Sequence, residues 1–161
     1  MTRAARLAGL LYAAAAITYV LDRGTKAWVE GSLTDRPPVE VIPRILRLTY
    51  TTNSGGAFGL GRSAPWLFAT ATILVVGIIV VVSFRLTRPS VAVALGLVLG
   101  GALGNLTDRA TGGPGLSGRV VDFIDFRVWP VFNLADAAIV VGAVLLAITS
   151  LWREEPGGPG T

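Results

Sequence analysis

The chain contains no cysteine and no histidine, and Lys26 is its single lysine. Without thiols or imidazoles it can build neither a disulfide, nor a His/Cys zinc site, nor a nucleophilic triad with histidine as base. Charge is scarce as well: 15% of the 161 residues are charged against 52% hydrophobic, and the mean hydropathy is +0.64. That balance argues against a soluble domain and for one compact membrane domain. The formal charge is only +4, and the arginines are scattered between apolar runs, so the basic stripe of a nucleic-acid binder is missing. Any hydrolytic chemistry must rest on carboxylates, with hydroxyls, amides and arginines in support.

Four long apolar stretches organise the chain, at Ala4–Leu21, Ala64–Phe84, Ser90–Leu106 and Asn133–Leu151. Each is close to the ~20 residues that a helix needs to cross ~30 Å of hydrocarbon. The first follows Arg3 and Arg6 and is rich in alanine, as a cleaved signal peptide would be, but polar residues suited to a site begin immediately after it; a retained helix is expected. Trp28, Trp66, Trp129 and Trp152 fall at or just beyond the ends of the stretches, where indoles settle at headgroup depth.

Four crossings put both termini on one side. Arg3, Arg6, Arg85, Arg88 and Arg153 are concentrated in the short termini and the Arg85–Pro89 turn, whereas the two longer connections, 22–63 and 107–132, dilute more basic residues over much more chain. Density of positive charge therefore places the termini in the cytoplasm and the longer connections outside. In the first connection Leu46, Leu48 and Tyr50 alternate with Arg47, Thr49 and Thr51, the pattern of a half-buried strand. Asn53-Ser54-Gly55-Gly56 can turn the chain, and Ala57-Phe58-Gly59 can return as a second strand. In the second connection Gly112-Gly113-Pro114-Gly115 predicts a flexible loop leading into Val120–Phe126. The expected fold is an α-helical integral membrane protein, one domain over 1–152, with four transmembrane helices and a small antiparallel β-sheet and second loop on the outer face. Residues 153–161 are expected to form a disordered cytoplasmic tail.

Several polar residues sit where hydrocarbon begins. Asn133 and Asp136 open the last stretch and can be read as a capping box, with equal weight given to a functional carboxylate at the membrane boundary. Asp122 and Asp125 lie among bulky apolar residues in Val121–Phe126; Asp125 is expected simply to face water, whereas Asp122 precedes Asp136 by a segment short enough to fold back and bring the two carboxylates together. Gly100 and Gly104 suit a close helix contact, and packing accounts for them. Asn105, an amide inside a span, needs a partner. Asp108-Arg109 can be an interfacial ion pair, and Asp22 with Lys26 an i,i+4 pair that extends the first helix.

Taken together these segments resemble the lipoprotein signal peptidase, or signal peptidase II, family. The resemblance covers nearly the whole chain. It is carried by Asp22-x-x-Thr25-Lys26, by Asn53-x-Gly55-Gly56-Ala57-Phe58-Gly59, by Gly100-Gly101-Ala102-Leu103-Gly104-Asn105-Leu106-x-Asp108-Arg109, by Val121-Asp122-Phe123 and by Phe132-Asn133-Leu134-Ala135-Asp136. It implies that Asp122 and Asp136 are the catalytic aspartates, and that Asp22, Lys26, Asn53, Gly55, Asn105, Arg109 and Asn133 bind substrate or support the site. The substrate it implies is a prolipoprotein with diacylglycerol on its lipobox cysteine, cut on the amino side of that cysteine. One departure is visible, since Thr111–Gly118 is longer than the link common in the family.

Two carboxylates close together in a partly dehydrated site share one proton near neutral pH. The ionised one takes a proton from the attacking water and the other donates to the scissile carbonyl. The residues leave open which aspartate begins as base, because such a pair titrates as a unit. No metal or other cofactor is required; the expected partners are the prolipoprotein substrates and membrane lipids, with no nucleic acid, and the protein is expected to act as a monomer. A small transporter with boundary aspartates as ion sites is the rival from another class, but no stretch is broken in its middle by a charge or proline. A purely structural assembly protein would explain the small-residue packing and leave the Asn/Asp/Arg cluster without a role.

Overall fold

The structure, a computed structural model, describes residues 2–55 and 65–151. Four helices account for the apolar stretches: α1 (Arg3–Leu33), α2 (Pro65–Ser83), α3 (Pro89–Thr111) and α4 (Leu134–Leu151). All four are long and apolar enough to cross a membrane. Strands β1 (Val39–Ile42), β2 (Leu46–Asn53) and β3 (Val120–Asp125) form one antiparallel sheet in the order β1-β2-β3.

Helix α1 begins at Thr2, whose hydroxyl accepts the Ala5 N–H at 3.3 Å. It does not stop at the hydropathic boundary near Leu21. Its 31 residues make a rod of ~46 Å, longer than the ~30 Å of a hydrocarbon core. The reason lies in its inner stripe: Leu7, Leu11, Ala15, Thr18, Asp22, Lys26, Val29 and Leu33 are all buried, spaced by three or four residues throughout. Val29 and Leu33 pack with Val121 and Phe123 of β3, so the projecting turns anchor the sheet to the bundle.

The sheet is assembled differently from the sequence expectation. Strand β2 pairs with β1 before it and with β3 from the other connection, aligning Thr51 with Asp122 and Asn53 with Val120. The anticipated return strand at Ala57-Phe58-Gly59 lies outside the described residues, as do Trp152 and the tail. Beyond β3 the chain turns back so that Phe132 bridges Ile124 and its ring stacks on Phe126 at 6.0 Å. This hairpin delivers Asn133 to the start of α4.

Helix α3 lies between α1 and α4, and glycines set the spacing on both sides. A Cβ on Gly96 or Gly100 would fall 2.5 Å from the carbonyl oxygens of Leu11 and Ala15 on α1, and one on Gly101 would fall 2.5 Å from that of Ala135 on α4. The segment after α3, where a flexible loop was expected, folds back on the end of that helix. Gly112 N–H returns to the Asp108 carbonyl at 2.9 Å, and Gly118 N–H to that of Arg109 at 3.0 Å, around a single turn of 3₁₀ helix at Pro114–Leu116.

Candidate active site

Asp136 occupies the first turn of α4, and the capping box foreseen for it is present. Asn133 Oδ1 accepts the Asp136 N–H at 2.9 Å, while Asp136 Oδ2 faces the Asn133 N–H at 3.4 Å. The cap does not exhaust the residue, because Asp136 Oδ1 accepts a hydrogen bond from Asn105 Nδ2 at 2.8 Å. Asp122 reaches the same place from β3 and is buried. Its Oδ1 accepts from Asn133 Nδ2 at 2.7 Å, and the Asn53 side chain from β2 also bonds to it. Burial, and then the charge of Asp136, push the Asp122 carboxyl up to about 7, although its bonds to Asn133 and Asn53 and the charge of Lys26 act in the opposite sense. The two carboxylates meet at one end of a cavity of about 790 Å³. Asn53, Gly55, Asn105 and Arg109 share that end, whereas Phe68 and Val75 of α2, Val98 of α3 and Val140 of α4 line the rest.

Arg109 crosses the polar end. It donates to the carbonyls of Asn105 at 3.3 Å and Gly55 at 3.4 Å, and its guanidinium carbon lies 6.0 Å above the Phe68 ring. Gly55 in turn donates its N–H to Asn53 Oδ1 at 2.9 Å, which fixes that amide.

Behind the cavity wall sits an ionic cluster. Lys26 Nζ contacts Asp22 at 2.9 Å, Asp108 at 2.8 Å and Asn105 Oδ1 at 2.9 Å, and Arg23 also pairs with Asp108. Two cations face two carboxylates there, the pairing that buried charge requires. Asp22 Oδ1 accepts the Ala135 N–H at 3.0 Å and so ties α1 to the start of α4; Asp108 faces the Val121 N–H at 3.4 Å and ties α3 to β3.

Of the residues singled out from the sequence, Asn53, Gly55, Asn105, Arg109, Asp122 and Asp136 line the cavity. Asp22 and Lys26 lie one layer behind it, and Asn133 is buried between the two aspartates. Two expectations are corrected. Asp125 does not simply face water: it is 4% exposed, bonded to Arg47 at 2.6 Å and to the Arg127 N–H at 2.7 Å. Burial pushes its carboxyl up, but the Arg127 amide and the Arg47 guanidinium outweigh that and hold it below the usual value. Asp108 pairs with Lys26 and Arg23 and not with Arg109, because successive helical residues point in different directions. Asp108 is the residue that sequence reasoning undervalued. Gly104 serves the close helix contact read from the sequence, since a Cβ there would strike the Asp22 carboxylate of α1.

A family model described as Signal peptidase (SPase) II matches residues 14–152. A lipoprotein signal peptidase of Streptomyces coelicolor is 42% identical over 158 residues, spanning 98% of this chain and 78% of the relative. One from Pelotomaculum thermopropionicum is 45% identical over 139 residues, 85% and 88% of the two chains. Two solved structures, each described as a bacterial membrane enzyme obtained by the in meso method, superpose with TM-scores of 0.79 and 0.76 at 27% and 30% identity. They cover 94% and 91% of this chain and 95% of their own.

Proposed function

The chain belongs to the signal peptidase II family, and from that premise we propose that it hydrolyses its substrate with Asp122 and Asp136 as an aspartate dyad. It is a multi-pass bacterial membrane peptidase that removes signal peptides from prolipoproteins. The observation that carries the dyad is the meeting of two carboxylates from different elements at the polar end of a cavity whose remaining wall is apolar. Water enters beside the dyad, one aspartate removes its proton, and the other protonates the carbonyl oxygen. The apolar wall receives the hydrocarbon part of the substrate, which sets the depth of the scissile bond on the amino side of a diacylglyceryl cysteine. Asn53 and Arg109 orient the substrate backbone and ester groups, while Asp22, Lys26, Asn105 and Asn133 hold the dyad in place.

The sheet and the dyad lie on the outer face, both termini are cytoplasmic, and the protein works as a monomer surrounded by lipid. Each described span is an unbroken helix, so the discontinuous midplane helices of a transporter are not found there. The test is cleavage of a purified diacylglyceryl-modified precursor by the wild type, Asp122→Asn and Asp136→Asn. Both variants should be inactive while remaining folded in detergent. Substantial turnover by either folded variant would remove that residue from the chemistry.

A further inference from the structure

The hydrogen bonds around the dyad have a direction. Lys26 carries an ammonium, which can only donate, so Asn105 must turn its oxygen to Lys26 and its nitrogen to Asp136. The main-chain N–H of Asp136 can only donate too, so Asn133 must turn its oxygen to it and its nitrogen to Asp122. Asn133 Nδ2 also lies 3.3 Å from Asn105 Oδ1, which joins the two amides in one chain. An obligate donor therefore sets the orientation of each amide, and neither can flip without facing a donor with a donor or losing its bond.

The two aspartates are not treated alike by this chain. Asp136 has an N–H aimed at each oxygen, Asn105 Nδ2 at Oδ1 and Asn133 N at Oδ2, and it stands in the first turn of α4, where the helix end favours negative charge. Asp122 also accepts from Asn133 and Asn53, but it is on a strand and has no helix end to stabilise its ionised form. Charges from the surrounding elements are Lys26, Arg23 and Asp22 on α1 and Asp108 and Arg109 on α3. The first four form the closed cluster behind Asn105, which leaves Arg109 on the cavity side.

We propose that Lys26 is a positioning residue that polarises the dyad through Asn105 and Asn133, so that Asp136 works as the carboxylate and Asp122 as the proton-bearing acid. The inference rests on the dyad reading and deepens it. Water attacks the carbonyl carbon as Asp136 takes one of its protons, and Asp122 gives its proton to the carbonyl oxygen, forming a neutral tetrahedral diol. As the C–N bond breaks, Asp136 passes its proton to the leaving nitrogen and a diol hydroxyl returns a proton to Asp122, which restores the starting state.

The experiment is the pH profile of kcat/KM on a diacylglyceryl-modified precursor for the full-length protein in detergent. Asn53→Ala removes a bond that favours ionised Asp122, so it moves the alkaline limb to higher pH and leaves the acid limb in place. Were Asp122 the base, the acid limb would move instead, and the assignment would be overturned. Lys26→Met moves the whole profile to higher pH and lowers kcat roughly tenfold. Because that variant strands two carboxylates in the interior, Asn105→Asp is measured beside it; this change keeps Lys26 paired, replaces the donor toward Asp136 by an oxygen, and moves the profile the same way. Loss of amplitude with unmoved limbs in both relay variants would reduce Lys26 to a structural role and overturn this inference alone. Turnover by folded Asp122→Asn or Asp136→Asn would overturn the dyad together with it.

Discussion

The side chain of Asn133 donates to the carboxylate of Asp122 across 2.7 Å. The same side chain caps α4 through the Asp136 N–H, so one residue both closes a helix and touches the proposed dyad. Serine caps a helix about as well as asparagine but has no amide to reach Asp122. Asn133→Ser should therefore leave thermal unfolding within about 1 kcal/mol of the wild type while lowering kcat/KM by at least about tenfold. An active Asn133→Ser variant of normal stability would reduce Asn133 to a cap.

Asp122 should cost the folded protein stability at alkaline pH. Its carboxyl is raised from 3.8 to about 7, first by burial and then by Asp136. The folded state thus favours the neutral form, and the stability this contributes is full below 3.8 and lost as pH rises through about 7. Asp122→Asn removes that dependence. Its unfolding free energy should exceed that of the wild type at about pH 8, by no more than about 4 kcal/mol, and the gap should close near pH 4. Denaturation at both values, on inactive enzyme, is the check. A gap that widens on acidification would contradict the sign.

Asp125 offers the opposite case. Its carboxyl is held below the usual value once the Arg127 amide and Arg47 outweigh burial, so its contribution to the sheet is present above the ordinary carboxylate range and lost as pH falls through the lowered value. Asp125→Asn should keep cleaving the precursor, because the residue faces Arg47 and lies outside the lining of the cavity. Its unfolding transition should move to lower temperature near neutral pH and converge with that of the wild type in acid. Loss of turnover in a folded Asp125→Asn protein would give this acid a part in the chemistry.

The absence of cysteine makes orientation directly measurable. Single cysteines at Ser54 and Ser117 should react with an impermeant maleimide in intact cells, and one at Thr87, between α2 and α3, should not. The reverse pattern would invert the topology.

Lipid on the substrate should matter more than its side chains. Two acyl chains in hydrocarbon are worth about 0.8 kcal/mol per CH₂, enough to fix the scissile bond at the depth of the carboxylates. A precursor with an unmodified cysteine should be cleaved far more slowly than the lipidated form, and Arg109→Ala should slow the lipidated form with the fold intact. Equal rates for the two precursors would refute anchoring by lipid.

How far the sequence could be read follows from the physics of each segment. The four helices were legible because hydrocarbon demands long apolar runs, and the capping box was legible because Asn133 and Asp136 have the required spacing. Hydropathy ended α1 near Leu21 because Asp22, Arg23 and Lys26 lower any windowed average; the three-and-four spacing of Leu11, Ala15, Thr18, Asp22, Lys26 and Val29 continues straight through them. The partner of β2 was hidden, since β3 lies far along the chain and no local pattern specifies a distant strand. Asp108 was misassigned for a similar reason. Its neighbour Arg109 is adjacent in sequence, but the cations it meets come from another helix.

Burial of the single lysine has a practical consequence. Lys26 is 1% exposed and held by two carboxylates, so its ε-amine is shielded and engaged in the folded chain. An amine-directed reagent will leave it untouched until α1 and α3 separate. Labelling of Lys26, followed by mass, is then a built-in gauge of opening in this bundle, one that requires no engineered probe and no active enzyme.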